Sequence, residues 1–279
     1  MTGATDWRGR VGDVWAQEHA RTERAFAGIA SVLNAAIVAA APDHGAAIDL
    51  GCGIGSTTQA LSAARPALRV TGIDLSPALI AVAEEQATTA GGAPRFLAGD
   101  AVELVQTLAP LDLLVSRHGL MFFADPLAAF AALRAAAAPR APLVFSCFAS
   151  RDANEWVTAP EAAVGLSPLA DAGYSPGPFA LSDGAFTRAL LEESGWTEIA
   201  ITPACVPYVV GAGVRPVEDA LDFYRRIGPL AAMLASALPA DRERIETRLR
   251  NLFAMRIQRD AVTFSAAIWI VTARAGKEA

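Results

Sequence analysis

The chain has 279 residues, 53% of them hydrophobic, and a formal net charge of −6. That length supports one large domain with a core of its own, while the acidic balance, with arginines scattered rather than massed, offers no electrostatic footprint for a polyanion and excludes nucleic acid as an expected partner. Three widely spaced cysteines, Cys52, Cys147 and Cys205, indicate neither a disulfide framework nor a metal site, and no metal is expected.

The first residues, "MTGATDWRGRVGDVW", carry acids and no secretory-type apolar core, which argues against a signal or transit peptide. Asn34 and Arg134 interrupt the two most alanine-rich runs, so no apolar stretch is expected to reach the roughly 18 to 20 residues of a membrane span. The expectation is a cytoplasmic protein without a membrane partner. Residues 1–41, helical from 13, are read as an N-terminal cap region. Over 42–150 short apolar runs alternate with helical stretches: "AAIDL" (46–50), "RVTGIDL" (69–75), "RFLAGD" (95–100), "LDLLVS" (111–116) and "PLVFSCF" (142–148) predict strands. Several intervening helices open on Ser or Asp, the preferred N-caps, and Pro77 and Pro126 occupy first-turn positions.

Residues 151–214 begin with a Pro- and Gly-rich stretch, 151–179, predicted to be irregular, followed by a capped helix and a strand. Residues 215–260 predict a helical insertion belonging to the cap, and 261–279 a final strand and tail. No repeat or linker divides the chain, so 1–279 is expected to be one domain. Repeated strand–helix–strand units imply a mostly parallel α/β sheet with helices on both faces, doubly wound and Rossmann-like. Ligands of such sheets bind beyond the carboxyl ends of the strands, near the switch in strand order. That rule gathers Asp49 to Gly55, Asp74, Asp100 and Ser116 to Gly119 around one opening.

"DLGCGIGS" (49–56) follows a strand and opens a helix, and its glycines permit a sharp turn and close approach to a ligand. As a dinucleotide fingerprint it fails, because Gly51 and Gly53 call for Gly or Ala at position 56, which is Ser. Together with the strand-end acids Asp74 and Asp100, "IDLGCGIGSTT" resembles the class I S-adenosylmethionine-dependent methyltransferases. The likeness extends through "DWRGRVGDVWAQ", "SRHGLMFFADPLAAFAALRAA" and "NEW" (154–156) to the small-molecule members with a helical cap. It implies a seven-stranded sheet, with S-adenosylmethionine as cofactor and S-adenosylhomocysteine as product. It further implies that Asp49, Gly51, Cys52, Gly53 and Gly55 hold the methionine and ribose portions, that Asp74 accepts from the ribose hydroxyls with Leu75 beside the adenine, and that Asp100 and Ala101 meet the adenine edge. Ser116 completes the cofactor set. An ionised carboxylate only accepts hydrogen bonds, which suits a vicinal diol or an exocyclic amine. Two departures stand out: "PRAP" (139–142) replaces the usual Pro-Gly-Gly turn, and His118 stands where an aromatic is usual.

For the acceptor side, His118 follows the fourth strand and is a candidate general base, with a non-catalytic pocket wall as the alternative. Arg117 is a candidate to neutralise an acidic substrate or the cofactor carboxylate, or else pairs with a surface acid. Trp15, Met121, Trp156, Tyr174, Tyr208 and Tyr224 are candidate pocket residues, with core packing as their alternative. "DFYRRIG" (222–228) offers Arg225 and Arg226 as a carboxylate clamp or a solvated helix face. The expected function is methyl transfer to a small molecule, by in-line displacement, at an O, N or C nucleophile. Cyclisation or transfer of another group from the same cofactor, a non-catalytic cofactor sensor, and NAD-dependent oxidation are the rivals. Oligomeric state is left open, a homodimer included.

Overall fold

In a computed structural model the chain is described over residues 3–90, 94–166, 173–228 and 230–276. Three N-terminal helices, α1 (Ala4–Arg8), α2 (Arg10–Gln17) and α3 (His19–Ala40), lead into the alternating unit. That unit comprises β1 (Gly45–Leu50), α4 (Ser56–Ala64), β2 (Leu68–Asp74), α5 (Pro77–Ala90), β3 (Arg95–Ala98), α6 (Ala101–Leu108), β4 (Leu113–Arg117), α7 (Pro126–Ala136) and β5 (Pro142–Phe148). After it come α8 (Glu155–Val164), α9 (Gly184–Glu193), β6 (Trp196–Ala212), α10 (Pro216–Arg226), α11 (Ala231–Ser236), α12 (Pro239–Met255), β7 (Ile257–Gln258) and β8 (Ala261–Ala275).

The sheet runs β3-β2-β1-β4-β5-β8-β6, with the two-residue β7 pairing on β8. Strands β1 to β5 are parallel, whereas β8 runs antiparallel to both β5 and β6. The order reverses between β1 and β4, so the crevice lies beyond Leu50 and Arg117. Every residue of the central β5 is buried, as expected of a strand covered on both faces, while β8 alternates buried and half-buried positions. β6 is the edge strand, a position that tolerates Pro203 and Pro207 because no further ladder needs their missing N–H.

Register places α10 to α12. Phe148, the last residue of β5, pairs with Ile268, so β8 from 261 to 267 and its partners on β6 project past the carboxyl edge of the parallel strands. The segment between their far ends is α10 to α12, which is thereby carried over the crevice side. Gly211 allows α10 to seat there, since a methyl on it would come within 2.1 Å of the Pro216 carbonyl.

Two expectations need correction. The 151–179 stretch is not irregular throughout: a 3-10 turn (Arg151–Ala153) and α8 occupy its first half, and residues 167–172 lie outside the described residues. Pro160 sits inside α8 and cannot bond the Trp156 carbonyl, but the Tyr224 hydroxyl donates to that carbonyl at 2.6 Å. Further, α3 is long and apolar enough, by length and composition, to cross a membrane. Its Ala25, Phe26, Ile29, Leu33 and Ile37 are buried at the three- and four-residue spacing of one face, and that face packs on β4, β5, β6 and β8.

Candidate active site

β1 delivers Asp49 and Leu50 fully buried, and the chain then turns through Gly51, Gly53 and Gly55 at φ of 65°, 57° and 79°. Such left-handed backbone is open to glycine at little steric cost. A methyl at Gly51 would lie 2.9 Å from Gly119 Cα and one at Gly55 2.5 Å from the Phe96 ring, whereas one at Gly53 would meet nothing within 4 Å. The loop is therefore wedged at both ends and open at Gly53.

Asp74 ties that loop to β2. One carboxylate oxygen accepts from Gly53 N and the other from Ser76 N, both at 2.9 Å. Burial raises its pKa and the two backbone donors oppose the rise. Asp49 Oδ2 accepts from the Thr58 hydroxyl at 2.7 Å, but Oδ1 is buried without a partner. Burial pushes Asp49 up to about 6, against the Thr58 hydrogen bond and the positive Arg117. A buried, half-satisfied carboxylate calls for a donor or a cation, so the pairing of this orphan oxygen with an open glycine face fits a cofactor bearing positive charge. Burial, with Asp49 and Asp74 nearby, holds the Cys52 thiol neutral. Asp100 is the N-cap of α6, accepting from Val102 N at 2.8 Å, and Ala101 opens that helix. Leu75 is half-buried between Asp74 and Ser76.

The end of β4 is tightly committed. The buried Ser116 hydroxyl donates to the Leu50 carbonyl at 2.6 Å and accepts from Gly119 N at 3.1 Å, locking β4 to β1. Arg117 forms an ion pair with Glu23 of α3 and lies over the Phe26 ring, 5.7 Å from its centroid. Of its two sequence-level readings, pairing within the protein is the one observed. His118 is buried in the left-handed region, φ 60°, with Nδ1 2.8 Å from Ser146 Oγ and Nε2 without a partner. Burial, helped by Arg117, lowers its pKa to about 3, so the ring is neutral.

Around His118 the structure assembles an aromatic wall. Phe148 meets its ring edge-on at 4.3 Å and Phe26 lies at 5.5 Å; Trp156 then stacks on Tyr208 at 4.8 Å, and Trp15 on Phe26 at 6.1 Å. Trp15, Trp156 and Tyr208 thus join His118 in one cluster. Met121 is buried in the 3-10 turn Leu120–Phe122. Tyr174 and Tyr224 are placed otherwise: their hydroxyls donate to the carbonyls of Phe123 and Trp156, both at 2.6 Å. Burial, with Asp125 nearby, pushes Tyr174 up to about 12. Arg225 and Arg226 do not form a clamp. Arg225 pairs with Glu246 and Asp222, and Arg226 with Glu18.

Several contributors escaped sequence reasoning. Thr58 and Ser146, which hold Asp49 and His118, lie nine and 28 residues from their partners. The fully buried Asn154 donates to the carbonyls of Ala149, Ser150 and Ala267 and accepts from Ala267 N and Trp156 Nε1, which fixes Trp156 against the end of β5. "NEW" was its only visible signal. Nothing local marks the others, because their partners are set by strand pairing.

Residues 47–140 match the family model described as a methyltransferase domain. No curated protein matches the chain. Among solved structures, one described by the conversion of a disulfide bond into a thioacetal group during echinomycin biosynthesis is 21% identical, covering 90% of this chain and 82% of that one, with a TM-score of 0.57. The YcgJ protein from Bacillus subtilis is 15% identical over 89% and 99% of the two chains, TM-score 0.54. Phosphoethanolamine N-methyltransferase 2 of Haemonchus contortus, solved with phosphomonomethylethanolamine and S-adenosylhomocysteine, is 16% identical over 96% and 61%, TM-score 0.53. These likenesses bear on the fold. The matched segment runs from β1 to beyond α7 and so takes in the glycine loop, both strand-end acids and the end of β4, and over that segment the chain is similar to a methyltransferase domain.

Proposed function

We propose that the chain transfers the methyl group of S-adenosylmethionine to a small-molecule acceptor held against the aromatic wall at the ends of β4 and β5. One observation carries this: the open glycine loop with Asp49 and Asp74, and the wall of His118, Phe148, Trp156 and Tyr208, occupy one carboxyl edge of the sheet. Apolar walls with few convergent polar groups are the usual build of small-molecule sites.

In this proposal Gly51, Cys52, Gly53 and Gly55 hold the methionine and ribose portions through backbone, and Asp49 Oδ1 meets positive charge of the cofactor. Asp74, already aimed by Gly53 and Ser76, accepts from the ribose hydroxyls with its remaining lone pairs. Leu75 lies beside the adenine, and Asp100 and Ala101 meet its edge. Ser116 serves the site by fixing β4 against β1. The bound cofactor supplies a methyl group activated by a sulfonium. The protein's share is to align the nucleophile and exclude water, and the N-terminal helices, α8 and α10 to α12 together form the cap that does so within one domain. A neutral His118 with a pKa near 3 is poorly matched to proton abstraction at neutral pH, which favours its role as wall over its role as base.

The test is incubation of purified protein with methyl-labelled cofactor and a panel of phenols, carboxylates and amines. Acceptor-dependent S-adenosylhomocysteine is expected. Methylthioadenosine would point to cyclisation or transfer of another group, and tight cofactor binding without turnover across the panel to a sensor. Calorimetry should show S-adenosylhomocysteine binding, and binding of NAD instead would overturn the proposal. Asp74→Ala is expected to weaken S-adenosylhomocysteine about tenfold or more, since a hydrogen bond to a charged group contributes about 1.5 to 3 kcal/mol.

A further inference from the structure

His118 follows β4 in a left-handed backbone conformation, φ 60°, that disfavours any side chain with a Cβ. Its neighbour on β5 holds it there: the Ser146 carbonyl accepts from His118 N at 3.1 Å, and Ser146 Oγ sits 2.8 Å from Nδ1. Phe148 and Phe26 close on the ring, and the second nitrogen, Nε2, is buried without a partner.

The hydrogen bond between Ser146 and His118 can run in either direction, and the two directions are not equivalent. Among the described residues Ser146 Oγ has His118 Nδ1 as its one hydrogen-bond partner. If Nδ1–H donated to Oγ, the serine hydrogen would have no acceptor and Nε2 would also be unmet, leaving two buried polar groups unsatisfied. If the serine hydroxyl donates to Nδ1, its hydrogen is placed and only the Nε2–H remains. Each buried unsatisfied group forfeits a hydrogen bond it had in water, so the second arrangement, which leaves one fewer, is favoured.

We propose that Ser146 is a positioning residue that fixes neutral His118 as the Nε2–H tautomer, so that His118 donates a hydrogen bond to the methyl acceptor. This rests on the methyl-transfer function proposed above and narrows its substrate class: the acceptor is recognised through an oxygen lone pair, as of a carbonyl, carboxylate or phenolate, beside an apolar body. The groups facing the ring agree with a neutral state. Arg117 on β4 is matched by Glu23 on α3, and Phe26 of α3, Phe148 of β5 and Tyr208 of β6 bring no charge, burial holding the Tyr208 phenol protonated.

The experiment is nitrogen NMR of the full chain labelled with 15N-histidine, from pH 5 to 8, with His118→Phe assigning one of the three histidines. Wild-type protein is expected to show His118 neutral throughout, with its hydrogen on Nε2; Ser146→Ala should redistribute it towards Nδ1, and Ser146→Thr, which keeps the hydroxyl, should restore the wild-type signature. A hydrogen on Nδ1 in wild-type protein, or a protonation midpoint within the range, overturns the proposal without need of a variant. An unchanged tautomer in Ser146→Ala overturns it as well. With the acceptor found by the assay above, Ser146→Ala should raise KM about two- to twelvefold, more than it lowers kcat, the equivalent of one hydrogen bond of about 0.5 to 1.5 kcal/mol. Failure of S-adenosylhomocysteine to bind would sink the methyl-transfer proposal and leave the tautomer result standing; a reversed tautomer with intact binding would sink this inference alone.

Discussion

Asp49 shows how a single carboxylate trades stability for a site. It was legible as a candidate cofactor residue from "DLGCG", but its burial, its Thr58 partner and its orphaned oxygen were not, since they depend on α4 returning against β1. The native state holds the Asp49 proton more tightly than an unfolded chain does, with a pKa of about 6 against 3.8. Its contribution to stability is therefore most favourable below about pH 4 and falls as pH rises through about 6. The full swing corresponds to about 3 kcal/mol at about 1.36 kcal/mol per pH unit. Asp49→Asn removes this titration, so denaturant unfolding at pH 4 and pH 7 should show the variant gaining about 2 to 2.5 kcal/mol relative to wild type across that interval, most of the full swing. The same substitution should weaken S-adenosylhomocysteine. An equal pH slope in both proteins would show that Asp49 is not the buried ionising group. His118 and Arg117 illustrate the same limit: their place at the end of β4 could be read from the sequence, but Ser146 and Glu23, which decide what they can do, could not.

At the scale of elements, the five parallel strands and most helices were legible because apolar runs, caps and breakers are local signals. α8 was not, because Pro160 and the glycines around it read as breakers. A helix containing an internal proline survives when something else satisfies the freed carbonyl, and here that is the Tyr224 hydroxyl from α10, 68 residues away. Tyr224→Phe is expected to cost about 1 to 3 kcal/mol by leaving the Trp156 carbonyl buried and unpaired. In a Pro160→Ala background the restored N–H can take that carbonyl, so the same change should cost at least about 0.5 kcal/mol less. Additive effects in chemical denaturation would break the link between α8 and α10 drawn here.

For the molecule as a whole, α10, the N-terminal helices and the sheet meet through long-range partners. Asp219 of α10 binds Arg21 and Arg24 of α3 at 2.7 Å each, and Asn154 bonds β8 and α8 to the end of β5. Residues of the glycine loop, β4 and the cap thus converge on one edge, and a ligand seated there should stabilise the fold broadly. At one hundred times its Kd, S-adenosylhomocysteine should add about 2.7 kcal/mol. At about 2 to 4 °C per kcal/mol for a chain of this size, Tm should rise by roughly 5 to 10 °C. Asp74→Ala should lose most of that rise at the same ligand concentration in a thermal melt, and an undiminished shift would place the ligand elsewhere.

By itself the sequence determined the parallel α/β sheet and the position of its crevice, and it supplied the residues proposed here for the cofactor side. Alternating apolar runs, glycines with left-handed freedom and acids at strand ends are short-range features whose meaning follows from the chain order of the elements. Only the tertiary structure decided the surroundings of His118: that β6 and β8 overrun the sheet edge and carry α10 to α12 with them, that Tyr174 and Tyr224 are spent on backbone carbonyls, and that Ser146 faces His118. These depend on strand register and on pairs separated by tens of residues. A one-residue slip in register exchanges the faces of a strand, so what His118 meets is a property of how β4 and β5 align.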